Sequence, residues 1–259
     1  MKVVILAGGK GTRISEESLL KPKPMVEIGG IPILVHIMRY FSSFGHNEFI
    51  VCAGYKGNMI KDFFNNYYTY MTDATFDLRN NHVTWHQGSC TVDPWTVTVA
   101  NTGEESMTGG RLKRIRKYLD DAPFFMTYGD GLADVDLHAL EAAYKQSGLL
   151  SAVTAVQPPG RFGRFAISDN QITGFIEKPA GDGDWINGGY FILDPKVLDR
   201  VDGDACVWEE GPMTSLANEG QLLPFFHDGF WQPMDTLRDK MLLERIWESG
   251  EVPWDRSDC

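Results

Sequence analysis

An α/β fold, a Rossmann-like central mixed and mostly parallel sheet flanked by helices, is predicted by two features of the sequence. Short apolar runs of strand length alternate with segments whose apolar residues recur at helical spacing. The first of those runs ends on a glycine cluster, at the carboxyl end of a strand, where folds of this class hold their ligands.

Residues 2–7 form that first strand, broken by Gly8 and Gly9. Ile33, Leu34, Ile37, Met38, Phe41 and Phe44 then recur at helical spacing, and Gly45 suits the helix end. Residues 48–53 predict the next strand and 58–68 the next helix, which completes one βαβ unit and starts another. Residues 67–102 are β-rich and irregular, with aromatics at Tyr67, Tyr68, Tyr70, Phe76, Trp85 and Trp95. The stretch is long for a crossover and reads as an insertion. The aromatic cluster from Phe63 to Phe76, which overlaps its start, suits core or a subunit interface. A helix over 111–119 precedes a strand at 124–128, which ends at Gly129-Asp130. A helix over 136–146 leads to a strand at 151–156, followed by strands at 164–168, 171–177 and 190–193. Helices near 207–219 and 237–248 complete the pattern.

The 259 residues, 43% hydrophobic and 23% charged, have the balance of an ordinary globular protein with a large core. A net charge of −11 argues against a general binder of nucleic acid or membrane surfaces. It leaves anionic substrates open, because a few positioned Lys and Arg residues outweigh the global sum. Cys52, Cys90, Cys206 and Cys259 form no CxxC pair, so neither a disulfide framework nor a zinc site is expected. No apolar stretch approaches the ~18 residues of a membrane span. The first apolar run lacks signal-peptide flanks, and a cytoplasmic protein is expected.

The loop after the first strand reads Leu6-Ala7-Gly8-Gly9-Lys10-Gly11-Thr12-Arg13. Gly8, Gly9 and Gly11 permit positive φ and let backbone N–H groups approach a phosphate chain. Thr12 adds a hydroxyl donor and Arg13 a fork for phosphate oxygens. The P-loop pattern fails because Lys10 lies on the wrong side of Gly11, and the dinucleotide fingerprint fails because Ile14 replaces its third glycine. A plain strand-terminal turn remains open at this point. Lys21-Pro22-Lys23-Pro24-Met25 follows, with two lysines on a segment stiffened by proline. That presentation suits clamping an anion, the other reading being a solvated surface run.

GGKGTR followed by KPKPM resembles the signature of the nucleotidylyltransferase (nucleoside-diphosphate-sugar pyrophosphorylase) family. Tyr128-Gly129-Asp130-Gly131, Glu177-Lys178-Pro179, Asn187-Gly188-Gly189 and Trp231-Gln232-Pro233-Met234-Asp235-Thr236 follow in the family's order, so the resemblance spans the chain. It implies the nucleotide-diphospho-sugar transferase type of fold in one domain over 1–259. About 1–160 would bind nucleotide, and about 161–259 the sugar phosphate. KPKPMVEIGG, SMTGGRLKR, TYGDG, PPGRFG and FWQPMDTLRDK resemble the subgroup that uses CTP and glucose 1-phosphate. The base preference rests on that resemblance alone.

The implied reaction is attack of a sugar-phosphate oxygen on the α-phosphorus of CTP, with pyrophosphate leaving. Its demand is for cations and a divalent metal rather than for a strong base. By resemblance Asp130 and Asp235 hold Mg²⁺, Lys23 contacts the nucleotide phosphates, and Arg13 holds the leaving β- and γ-phosphates. These four form the expected catalytic set. Leu6, Ala7, Gly8, Gly9, Lys10, Gly11, Thr12, Ser106, Arg111 and Gly129 are the further nucleotide residues. The glycine pair before Arg111 is expected to let a flat base approach. Glu177, Lys178, Asn187 and Gly188 are expected at the sugar phosphate; on the residues alone, an exposed acid paired with Lys178 is the other reading of Glu177. The subgroup also implies a homo-oligomer, a hexamer, and a product feeding bacterial surface polysaccharide. His36, His82 and His86 lack ligand spacing, and no base–nucleophile constellation is visible. The same chemistry with dTTP or UTP stays open, as does a non-catalytic sensor, although a sensor would be expected to lose Lys23, Asp130 or Asp235.

Overall fold

The computed structural model describes residues 1–11, 21–86, 93–158, 164–168, 171–176 and 184–256. Strand β1 (Val3–Ala7) is buried throughout, as a central parallel strand covered on both faces must be. After it come a short ribbon, β2 (Glu27–Ile28) with β3 (Ile31–Pro32), and helix α1 (Ile33–Ser42). Strand β4 (Glu48–Ala53), helices α2 (Gly57–Asn65) and α3 (Tyr67–Met71), and a hairpin of β5 (Asp73–Asp77) and β6 (His82–His86) follow. The chain continues through β7 (Thr96–Asn101), α4 (Thr108–Arg114), β8 (Phe124–Tyr128), β9 (Gly131–Ala133), α5 (Leu137–Ser147) and β10 (Ser151–Val156). A second hairpin, β11 (Arg164–Ser168) and β12 (Gln171–Ile176), precedes the long β13 (Ile186–Leu193). Helix α6 (Pro212–Asn218), β14 (Leu222–His227), β15 (Trp231–Pro233) and α7 (Leu237–Ser249) close the fold.

Seven strands make the central sheet in the order β14-β10-β13-β8-β1-β4-β7. Only β13 runs antiparallel to its neighbours, so the sheet is mixed and mostly parallel, as expected. Alternation along β1 divides the core. Val3, Ile5 and Ala7 share one face with Ile33, Ile37 and Phe41 of α1, while Val4 and Leu6 pack with Leu112, Ile115 and Trp208 on the other. Among the described residues no helix is long and apolar enough to cross a membrane.

Four details depart from the sequence expectations. The helix expected over 58–68 is two helices, α2 and α3. The end of the expected insertion, β7, is an edge strand of the main sheet in register with β4. The helix expected near 207–219 starts only at Pro212, whose fixed φ suits a first helical turn. Strand β14 was not anticipated because Pro224 interrupts it; it lies at the sheet edge, where a missing donor is tolerated. The aromatic cluster divides in two. Phe63 and Tyr67 pack towards Trp95 and Phe49, whereas Tyr68, Phe76 and Trp85 are exposed.

Candidate active site

A cavity of about 360 Å³ opens at the carboxyl ends of β1 and β8. Leu6, Ala7, Gly8, Gly9 and Gly11 form one wall, Gly129 and Asp130 another, and Ser106, Met107, Thr108 and Arg111 a third. Lys23, Pro24 and Asp235 close the rim. Residues from five separate stretches therefore meet at one place.

Lys23 starts a single 3-10 turn, Lys23–Met25, whose Pro24 and Met25 are buried. Its side chain is only 11% exposed, and Nζ donates to Asp130 Oδ2 at 2.6 Å and Asp235 Oδ1 at 2.8 Å. Burial alone would lower the ammonium's pKa; Asp130, and after it Asp235, outweigh burial and hold it above the ordinary value. The two aspartates are 105 positions apart, but β9 and β15 pair antiparallel with Gly131 opposite Pro233, and Met234 N–H donates to the Asp130 carbonyl at 2.8 Å. Asp235 sits just before the capping box of α7. There Asp239 Oδ2 accepts from Asp235 N at 3.1 Å and from Thr236 N at 2.8 Å. The helix start thus fixes the backbone that carries Asp235.

Arg111 lies on the inner wall and is only 5% exposed. Its guanidinium donates to Gly8 O (2.9 Å), Gly103 O (2.7 Å), Glu104 O (3.2 Å) and Thr102 Oγ1 (2.8 Å). None of these acceptors is charged. Burial lowers its pKa, and the positive charge stands under the glycine loop without a carboxylate among the described residues. A Cβ on Gly8 would come within 2.1 Å of Arg111 Nη1, so that glycine makes room for the guanidinium. A Cβ on Gly9 would meet nothing within 4 Å, which leaves its face open, and Gly11 has φ +62°. Such a wall, with a buried uncompensated cation behind backbone groups, favours an anion in the cavity.

Lys10 faces elsewhere: it is half-exposed, pairs with Glu105 at 2.6 Å and does not line the cavity. Asn187 and Gly188 are not among the residues that line the cavity. Asn187 Nδ2 donates to the Tyr128 hydroxyl at 3.3 Å, and the Gly188 carbonyl accepts from Trp231 Nε1 at 2.8 Å. Thr12, Arg13, Glu177 and Lys178 lie outside the described residues. The glycine pair Gly109-Gly110 has a different reason from the one expected. A Cβ on Gly109 would meet Cys206 O at 2.8 Å, and one on Gly110 would meet Asp204 O at 2.5 Å, so the pair admits the 204–206 backbone. Pro24, Met107, Thr108 and Tyr128 are lining residues that sequence reasoning did not assign. Tyr128 was within reach, since it directly precedes Gly129-Asp130 at a strand end. Burial, and then the Glu209 carboxylate, push its hydroxyl well above the ordinary value, so it stays a hydrogen-bond donor.

Two carboxylates converging on one ammonium already form a place for a cation, and their hard oxygen donors suit Mg²⁺. Among the described residues no group of three or more His, Cys, Asp or Glu gathers as a metal site, so this place offers two carboxylates and no third such ligand.

The sequence profile of the nucleotidyl transferase family matches residues 2–211. A glucose-1-phosphate cytidylyltransferase of Salmonella typhi is 54% identical over 255 residues, 98% of each chain. A mannose-1-phosphate guanyltransferase of Schizosaccharomyces pombe is 30% identical over 92% of this chain and 62% of its own length. In structure, a UDP-glucose pyrophosphorylase complexed with UDP-glucose superposes with a TM-score of 0.69 at 14% identity, covering 96% of this chain and 98% of that one. The fold is that of the nucleotide-diphospho-sugar transferases. The chain belongs to the nucleotidyl transferase family, and within it resembles the glucose-1-phosphate cytidylyltransferases.

Proposed function

We propose that this chain transfers the cytidylyl group of CTP to glucose 1-phosphate, forming CDP-glucose and pyrophosphate. The single observation that carries the assignment of substrates is the 54% identity to a glucose-1-phosphate cytidylyltransferase across 98% of both chains. The cavity supports it chemically. A sugar-phosphate oxygen forms the new bond to the α-phosphorus as the bond between α-phosphorus and its bridging oxygen breaks, and that oxygen leaves with pyrophosphate. No proton must be removed from the nucleophile, so the protein's task is to gather and neutralise anions.

Within that task, the open face of Gly9 offers backbone to the triphosphate, with Arg111 behind the loop supplying positive potential. Lys23 provides an ammonium at the rim, and Asp130 and Asp235 would hold Mg²⁺. When bound, the ion would neutralise charge developing on the phosphoryl oxygens. Phosphate oxygens and water would complete its ligands. Arg13 is assigned to the departing phosphates and Lys178 to the phosphate of the sugar substrate. Glu177 and Asn187 are assigned to the sugar hydroxyls, and Gly188 to the backbone beside the sugar.

The exposed Phe76, Leu78, Val83 and Trp85 of the β5–β6 hairpin support a homo-oligomer, with a hexamer as the specific expectation. Light scattering on the purified protein tests it; a monomer at micromolar concentration rejects it. The further reading, a cytoplasmic enzyme whose product feeds bacterial surface polysaccharide, follows from the same similarity. Purified protein with Mg²⁺ and a panel of CTP, dTTP and UTP against several sugar 1-phosphates decides the substrates. Pyrophosphate and CDP-glucose should appear fastest with CTP and glucose 1-phosphate. Equal turnover with dTTP would reject the base assignment, and no turnover with any pair would reject the function.

A further inference from the structure

We propose that Glu209 is a positioning residue that ties the nucleotide wall of the cavity to the sugar side through Thr108 and Tyr128. The inference rests on the substrate reading above. Three observations lead to it.

First, the Glu209 carboxylate serves two hydroxyls at once. Tyr128 OH donates to Oε1 at 2.5 Å, and Thr108 Oγ1 donates to Oε2 at 2.7 Å. Both hydroxyl residues line the cavity, whereas Glu209 stands behind them. Second, each hydroxyl also accepts. Asn187 Nδ2 donates to Tyr128 OH at 3.3 Å, and Trp208 N–H donates to Thr108 Oγ1 at 2.8 Å. Asn187 Oδ1 in turn accepts from Gly189 N at 2.8 Å. The chain Trp208–Thr108–Glu209–Tyr128–Asn187–Gly189 therefore runs in one consistent donor direction on either side of the carboxylate, with both carboxylate oxygens engaged.

Third, the fold is built to bring Glu209 there. Gly109 and Gly110 lack the side chains that would collide with 204–206, and Met107 N and Gly109 N donate to Asp204 O and Cys206 O at 2.8 and 2.9 Å. The start of α4 and the 204–209 segment thus dock backbone to backbone. On the other side Gly189, at φ +83°, leaves space for the Tyr128 ring, which a Cβ would meet at 2.8 Å. Each end of the chain of hydrogen bonds is therefore secured by a glycine contact.

The consequence is a division of labour. Thr108 should orient the wall that faces the nucleotide, Tyr128 should orient Asn187 at the sugar, and Glu209 should hold both. Loss of one link should raise KM for one substrate, and loss of the hub should raise both, with kcat less affected.

The test is steady-state kinetics on the full-length protein, with thermal midpoints measured alongside. The wild-type substrate panel comes first; should it choose a different nucleotide or sugar, that pair is used, so the substrate reading fails separately from this one. Tyr128→Phe should raise KM for glucose 1-phosphate by about tenfold and leave that for CTP within about twofold. Thr108→Val should do the reverse. Glu209→Gln has only one acceptor oxygen for two hydroxyls, and should raise both by about three- to tenfold. Combining Glu209→Gln with Tyr128→Phe should raise KM for the sugar phosphate no further than the larger single effect. The proposal is overturned if Tyr128→Phe and Thr108→Val raise both KM values alike. It also falls if a natively stable Glu209→Gln leaves both unchanged, and if that variant does not fold, the two single-hydroxyl variants decide alone.

Discussion

Two cations face the same cavity and are held in opposite ways. Arg111 is surrounded by neutral acceptors, three of them backbone carbonyls, and its charge has no carboxylate beside it among the described residues. Lys23 is clamped between two carboxylates. The first arrangement builds the wall and leaves a positive potential standing in it, since a buried charge that lacks a counter-ion still attracts one. The second stores paired charges with one carboxylate in excess, and on the proposed mechanism those partners exchange: each carboxylate would release the ammonium for a metal, and the ammonium would turn to a phosphate. The inner wall is therefore scaffold and field, and the rim, on that proposal, exchangeable chemistry.

The sharpest way to break that comparison is at the rim. Lys23→Ala should lower turnover by about 10²–10³-fold, the usual cost of removing a preorganised charge from a polyanionic transition state. Its thermal midpoint should fall only modestly: Asp130 and Asp235 lose their shared partner and repel one another, but at 32% and 38% exposure water still screens them. Asp235→Asn should fall in the same class and show a weakened dependence on Mg²⁺ concentration. A Lys23→Ala protein that unfolds several degrees early while turning over normally would reverse the assignment of scaffold and chemistry.

The inner wall should respond the other way. Gly8→Ala places a methyl 2.1 Å from Arg111 Nη1 and 2.3 Å from its Cζ, in a guanidinium fixed by four hydrogen bonds. Destabilisation of about 3 kcal/mol is expected from such overpacking. Arg111→Lys keeps the charge but loses the fork that spans Gly8 and Gly103, and should cost about 2 kcal/mol. Chemical denaturation measures both. Gly9→Ala is the contrast, since its added Cβ meets nothing within 4 Å. It should fold like wild type and raise KM for CTP by about tenfold if the loop cradles phosphate. An unchanged KM would remove Gly9 from the cradle.

How much of this was legible in the chain follows the same division. The glycine loop, KPKPM, and both aspartates stand out because each is local: a strand end followed by residues whose types already suggest anions or metals. The sheet was legible for a similar reason, as β1, β4, β8 and β10 are short apolar runs. What could not be seen are relations across the chain. Nothing near Arg111 announces that its guanidinium reaches back to Gly8, 103 positions away, or that Gly109-Gly110 exists to admit residues 204–206. Glu209 has no motif of its own. Its position depends on two backbone docking contacts, Met107 N to Asp204 O and Gly109 N to Cys206 O, which no local pattern shows.

A smaller effect separates the two cations by titration. Burial acts on both to favour the neutral form, but only Lys23 has carboxylates that reverse it, so its pKa is raised above 10.5. For a group whose folded pKa is raised, the stabilising contribution is complete below the unfolded value, and it disappears as pH climbs through the folded value. Wild type should therefore lose this contribution only in strongly alkaline solution. In Asp235→Asn one of the two opposing carboxylates is gone while burial remains, so the Lys23 ammonium should titrate at a lower pH. Its ¹³Cε resonance, followed from pH 8 to 12 in both proteins, measures the difference directly. Coincident titrations would mean that Asp130 alone sets the pKa of the ammonium. Arg111 should show no such step, because a guanidinium stays charged across that range even when burial opposes it.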